Sequence, residues 1–365
     1  MSRATPVPFA LTRISVKDFG PIKEASIDLA RLTVLMGPDN TGKSYLTVLM
    51  PVLEELIREW CYAQALMSPT NYTLKDFELQ LNVMLYDLLH IFYSVEPEEL
   101  IRRGAEKAEI EFELRSKEGQ AVVLEVQIDK SGVNSKLHGF DELFESSKAP
   151  TIEPVVYIPA ERAGIMRALK QLLRLSLATS WLSAPPHKRK VIQLMSERIR
   201  LPGASMLFLE QLLGVEKFTK EERERAFTAP ALKLLEEGVL GGRIEMYWDL
   251  SVRYYPFGAE KPLKLINASA MVSELSALYL LSGTLKEGWW MVVEEPEAHV
   301  HPKGQATIAR YFAKLARLGV NVMATTHSDI IVFKLAQMVG LAGLSPEERE
   351  RLGYRGDEYL TKEEL

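Results

Sequence analysis

The chain has 365 residues, of which 47% are hydrophobic and 25% charged, with a formal net charge of −5. That is the size and mixture of one large or two modest globular domains. A single cysteine, Cys61, excludes an internal disulfide framework and a multi-cysteine zinc site, and the negative balance excludes a surface coated in positive charge for nucleic acid. No uncharged apolar stretch reaches the roughly 18 to 20 residues that span a bilayer. Met1 to Ala10 is too short before Arg13 and Lys17 to act as a signal peptide, so a cytoplasmic location is expected.

In chain order, Leu11 to Phe19 and Ser26 to Met36 alternate apolar and polar residues and predict two strands broken by a turn at Gly20-Pro21. The second run ends in Leu32-Thr33-Val34-Leu35-Met36, the pattern of a strand buried on both faces. A glycine loop follows, and Leu46, Leu49, Val52, Leu53 and Leu56 then recur at a helical period. Residues 74–103 predict a helix, 108–128 strands, 131–150 a loop and Val155 to Ile158 a short strand that stops at Pro159. Residues 164–237 are mostly helical, with breaks at Pro185-Pro186 and Pro202-Gly203. Strand patterning resumes at Arg243 to Tyr255. A helix follows from Val272 to Leu281, then a strand from Trp289 to Val293, a helix from Lys303 to Leu318 and a strand from Val320 to Thr325. The succession fits a mixed α/β nucleotide-binding core with a helical insertion.

Charge is segregated along the chain. Pro51 to Leu100 carries nine acidic residues against two basic ones, whereas Arg162 to Arg200 carries nine basic residues against the single acid Glu197. The overall −5 therefore hides a basic segment that contains Lys188, Arg189, Lys190, Arg198 and Arg200.

Gly37-Pro38-Asp39-Asn40-Thr41-Gly42-Lys43-Ser44 satisfies G-x-x-x-x-G-K-[ST] between a strand and a helix. Its glycines let successive backbone N–H groups turn inward onto phosphate oxygens, and the helix N-terminus adds a positive dipole. Lys43 would reach the β- and γ-phosphates and the Ser44 hydroxyl a Mg²⁺ ion. Gly37, Asn40, Thr41, Gly42, Lys43, Ser44 and Tyr45 are accordingly the expected ATP-binding residues. The strand Trp289 to Val293 ends in the adjacent carboxylates Glu294 and Glu295. Such a pair can divide two tasks, Glu294 on the Mg²⁺ side and Glu295 as the base that orients or deprotonates the attacking water.

These motifs, with Glu294-Glu295-Pro296-Glu297-Ala298-His299-Val300-His301-Pro302 and Ala324-Thr325-Thr326-His327-Ser328, resemble the AAA-labelled ATPases with ABC/SMC-type heads. That group is related to overcoming-lysogenization-defect, RecF-like and structural-maintenance-of-chromosomes ATPases. Ile14 to Ile22 and Tyr157-Ile158-Pro159-Ala160-Glu161-Arg162 are similar to it as well. The resemblance implies a P-loop NTPase head in which residues 1–160 and 242–340 form the ATPase core, 161–241 a helical insertion or lid and 341–365 a tail. It also implies a homodimer that sandwiches ATP, with His327 contacting the γ-phosphate and Ser269 reaching the ATP of the opposite subunit. Met271 stands where the family has glycine, and Ala160 where transporter heads have glutamine. Glu161 and Arg162 are either metal or phosphate contacts that replace that glutamine or an ordinary surface pair. His299 and His301 suggest a metal site only weakly.

Three functions follow as expectations. The first is an ATPase that clamps or signals on DNA beside a nuclease or other effector, in repair or anti-phage defence, with Lys188, Arg189, Lys190, Arg198 and Arg200 on phosphates. The second is an ATP-gated protein-interaction switch without nucleic acid. The third, a transporter subunit, is disfavoured by the lack of a transporter signature at Ser269 to Glu274.

Overall fold

The computed structural model describes residues 7–66, 74–116, 118–139, 150–178 and 202–354. Period-two alternation at the N-terminus builds an antiparallel sheet from β1 (Val7–Phe19), β2 (Ile22–Asp28), β4 (Lys107–Ser116), β5 (Ala121–Asp129) and β6 (Gly132–His138), in the order β2-β1-β4-β5-β6. A short β7 (Pro150–Ile152) pairs parallel to β1. Ala108, Ile110, Phe112 and Leu114 of β4 point to one face, where they pack on α1 (Lys43–Leu66) and α2 (Leu74–Tyr93). The turn between β1 and β2 needs glycine, because Gly20 has φ +54° and a Cβ there would lie 2.5 Å from the Tyr45 ring.

Two elements depart from expectation. The helix over 74–103 ends at Tyr93, and a 3₁₀ turn at Pro97–Leu100 follows the left-handed Ser94. The loop over 131–150 contains β6, whose second inward position is Ser135 rather than an apolar residue. Asn82 of α2 satisfies that serine, accepting from its backbone N–H at 2.6 Å and its hydroxyl at 2.7 Å.

The nucleotide-type sheet is parallel throughout, in the order β3 (Leu32–Met36), β13 (Asn321–Thr326), β12 (Trp290–Glu294), β8 (Val155–Ile158). Every residue of β12 and β8 is buried, as expected of parallel strands covered on both sides. Alternation along β12 sends Trp290 and Val292 into the core under α1 and α2, and Met291 and Val293 into a second core on the opposite face. The second core is built from α7 (Ala270–Ser282), α8 (Pro302–Arg317) and α9 (Asp329–Leu341).

The described part of residues 161–241 supplies α3 (Arg162–Ala178), α4 (Gly203–Gly214), α5 (Lys220–Arg225) and α6 (Ala229–Leu235). Phe208, Leu212, Leu232 and Leu235 share the second core with Leu275 and Phe312. A small antiparallel sheet of β9 (Gly242–Met246), β10 (Val252–Pro256) and β11 (Leu263–Lys264) leads into α7. After α9 the described chain ends in the short α10 (Pro346–Arg351). The expected mixed α/β P-loop architecture is the one observed. Among the described residues no helix is long and apolar enough to cross a membrane.

Candidate functional site

The C-terminal edge of the parallel sheet, where α/β folds place their ligands, gathers the sequence motifs. The loop Gly37 to Gly42 joins β3 to α1, with Asn40 at φ +59° and Gly42 at φ +96°. A Cβ on Gly42 would sit 2.4 Å from Ile22 Cγ1, so both the backbone conformation and the space require glycine. Lys43 opens α1, and its ammonium donates back to the carbonyls of Gly37 at 2.9 Å and Pro38 at 2.7 Å. Thr41 Oγ1 donates to the Pro38 carbonyl at 2.9 Å, which closes the loop on itself. Tyr45 is half-buried under the loop, edge-on to Phe19, and its carbonyl accepts from the Tyr93 hydroxyl at 2.7 Å.

Glu294 ends β12 and is buried. Its Oε1 accepts from Thr47 Oγ1 at 2.6 Å and from the Tyr157 hydroxyl at 3.0 Å, and Ser44 is a further hydrogen-bond donor to it. Burial nevertheless raises its pKa, because those three neutral donors offset desolvation only in part. A buried carboxylate beside the Ser44 and Thr47 hydroxyls is an oxygen-donor set of the kind a hard divalent cation takes, and Glu294 and Ser44 are the residues that would hold Mg²⁺.

Glu295 lies one residue past the strand in a left-handed conformation, φ +44°, with its side chain partly exposed. Its N–H donates to the Thr325 carbonyl at 3.0 Å, which ties the turn to β13. His327 follows β13, with Nε2 3.8 Å from Glu295 Oε1 and 3.0 Å from Asp39 Oδ1 of the phosphate loop. Glu297 holds that histidine in place. Its Oε1 accepts from the His327 backbone N–H at 2.6 Å and from Thr326 Oγ1 at 2.8 Å. The phosphate loop, the carboxylate pair and His327 thus converge, as the motifs predict.

Other expected residues lie elsewhere. Ser269 is the exposed N-cap of α7, where its hydroxyl accepts from the Val272 N–H at 3.3 Å; Met271 packs half-buried against the second core. His301 caps α8, its Nδ1 accepting from the Lys303 N–H, while exposed His299 lies 3.9 Å from a Glu274 carboxylate oxygen. The grouping of possible metal ligands found among the described residues is instead Asp39, Glu295 and His327. Lys188, Arg189, Lys190, Arg198 and Arg200 fall outside the described residues.

Arg162 is neither a phosphate contact nor a surface residue. Its guanidinium is buried, and it donates to backbone carbonyls, including those of Glu294 and Glu295. Motif spacing also misses Thr47, Tyr157, Asp39 and Glu297. Thr47 carries a usable signal, since it lies three residues after Ser44 and so shares its face of α1.

A family model described as an AAA ATPase domain matches residues 281–332, a stretch that contains β12, Glu294, Glu295 and His327. A search of curated protein sequences finds no match. Among solved structures, the chain is similar to an Smc head domain with an extended coiled coil bound to the C-terminal domain of ScpA, from Pyrococcus furiosus. The identity is 14%, coverage is 89% of this chain and 91% of that one, and the TM-score is 0.49. The SMC head domain from Thermotoga maritima matches at 12% identity, with 89% and 91% coverage and a TM-score of 0.45. The family match covers 52 of the 365 residues and does not include the phosphate loop, so what it shows is similarity to an AAA ATPase domain over the stretch that carries the carboxylate pair and His327.

Proposed function

We propose that this domain binds and hydrolyses ATP with Mg²⁺, as a head that pairs with a second copy around the nucleotide. The observation that carries the reading is the convergence of Lys43 and Ser44 at the start of α1, Glu294 and Glu295 at the end of β12 and His327 after β13 on one sheet edge. In this reading Lys43 leaves its loop carbonyls for the β- and γ-phosphates, and the loop N–H groups with the α1 N-terminus hold phosphate oxygens. Mg²⁺ on Ser44 and Glu294 would supply charge neutralisation at the phosphates. Glu295 accepts the proton of the attacking water, and the His327 imidazole exchanges Asp39 for the γ-phosphate. Exposed Ser269, at the N-terminus of α7, supports the second half of the reading, in which it reaches the ATP of the other copy.

The cargo is the open part of the function, and we favour DNA through the basic segment ahead of a purely protein-directed switch. Within the described part of that segment, Lys170 pairs with Asp249 at 2.8 Å and Arg167 donates to Ser273, which leaves Lys188, Arg189, Lys190, Arg198 and Arg200 to carry phosphate contacts. Role in repair or defence and a nuclease or other effector belong to this same reading.

Two measurements test it. Lys43→Ala should abolish ATP binding, and Glu295→Gln should bind ATP but not turn it over, accumulating as a dimer; unchanged turnover by Glu295→Gln removes Glu295 as the base. A DNA titration with and without ATP should show affinity that falls with salt and drops when Lys188, Arg189 and Lys190 become alanine. Absence of DNA affinity at low salt transfers the reading to the protein switch.

A further inference from the structure

Arg162 is the largest fully buried side chain of the described residues, 1% exposed. A charge so placed is costly unless its donors are matched. Here Nη1 donates to the carbonyls of Glu294 at 2.7 Å and Pro159 at 3.1 Å, and Nη2 to that of Glu295 at 2.9 Å. Nε donates to the Glu274 carbonyl at 3.2 Å and lies 3.3 Å from the Glu274 carboxylate. The planar fork therefore spans the consecutive carbonyls of the two acidic residues that end β12, while its opposite edge is held by α7.

Two features make this more than a satisfied ion pair. Glu295 occupies the left-handed region, which a residue with a side chain enters only under restraint from its surroundings. The fork supplies that restraint directly at the strained residue. Secondly, the clamp is doubled, because Arg167, five residues further along α3, donates to Ser273 Oγ at 2.9 Å, next to Glu274. Helix α3 is thus fastened to α7 at two points, and α7 begins at Ser269.

We propose that Arg162 is a positioning residue that holds the Glu295 backbone in its catalytic turn and ties that turn to α7, so that turnover depends on where the Ser269 end of the helix stands. The proposal rests on the ATPase reading with Glu295 as base. Arg162 touches no reacting group, and its effect is carried through the carbonyls of Glu294 and Glu295.

The test compares Arg162→Lys, Arg162→Met, Glu274→Gln and the double variant Arg162→Met/Glu274→Met, reading ATP affinity, KM, kcat and Tm in the same preparations. Arg162→Lys keeps the charge but cannot bridge two carbonyls, and its kcat should fall by between about tenfold and a hundredfold while ATP affinity stays within about twofold of the parent. Arg162→Met leaves Glu274 buried without its cation and should lower Tm. The double variant replaces the whole pair with apolar volume and should recover Tm, yet its kcat should remain as low as that of Arg162→Met. Should kcat recover together with Tm in the double variant, or stay at the parent value in Arg162→Lys, Arg162 is a structural ion-pair partner only and the proposal is overturned. A parent protein that binds ATP but does not turn it over defeats the ATPase reading itself, a result distinct from an active parent with an active Arg162→Lys variant.

Discussion

At the scale of single residues, Gly42 and Glu297 show how tightly the phosphate loop and His327 are specified. Gly42→Ala places a methyl group 2.4 Å from Ile22 Cγ1 at φ +96°. The loop must then move, and we expect loss of ATP binding by calorimetry with a destabilisation of about 1–3 kcal/mol. Glu297→Ala frees the His327 N–H and the Thr326 hydroxyl together. His327 then loses its fixed position opposite Glu295, so kcat should fall at least tenfold, roughly 1.4 kcal/mol in barrier, with little change in ATP affinity; equal losses in both would mean that Glu297 acts on the whole loop. The difference between these residues also explains what can be read from sequence. Gly42, Lys43 and Ser44 are contiguous, and their spacing is set by the ligand they would hold. Glu297, Tyr157, Thr47 and Arg162 act through contacts between segments more than 25 residues apart, and local spacing, which hints only at Thr47 through its shared helix face with Ser44, does not reveal those partners. Arg162 is the clearest case: the sequence offers it, with Glu161, as a metal or phosphate contact or as half of a surface pair, and only the fold shows it buried beneath the carboxylate pair.

Among the elements, α1 is legible because it begins at the phosphate loop and keeps a helical apolar period, and β12 because the uninterrupted apolar run Trp289 to Val293 leaves few alternatives. β6 is not, since a polar residue at an inward position breaks the alternation and its partner Asn82 lies on another element. Helix α1 also buries a carboxyl that the nucleotide reading does not use. Desolvation pushes Glu54 up to about 7, against the pull of the Val155 backbone N–H. A raised carboxyl pKa means that the folded protein retains a proton the unfolded chain gives up. Stability therefore declines as pH rises from about 4.5 to about 7 and the penalty is complete above that range. Glu54→Gln keeps an acceptor for Val155 and removes the charge. Its Tm should exceed that of the parent at pH 8, by an amount corresponding to about 2 kcal/mol, and the gap should close near pH 4.5; a gap independent of pH would locate the gain in packing rather than ionisation.

For the molecule as a whole, the site and Ser269 pose a geometric question. Ser269 is exposed with Ala270 at the start of a helix that is buried from Val272 onward, and its hydrogen bonds stay within its own turn. If each nucleotide is held by the phosphate loop of one copy and the α7 end of the other, the two functions can be divided between two defective chains. Lys43→Ala removes both loops from a homodimer, and Ser269→Arg blocks both α7 ends. Each alone should be inactive. In a mixture, heterodimers contain one intact combination, the loop of the Ser269→Arg chain facing the α7 end of the Lys43→Ala chain. Random pairing makes half of the dimers heterodimers, each with one working site of two, so an equimolar mixture should recover about a quarter of the parent rate. The recovered rate should rise with protein concentration, as any assembly-dependent activity does. A mixture that stays inactive while both variants still fold would mean that Ser269 does not serve the site of a second copy, and that the exposed end of α7 faces solvent or another partner.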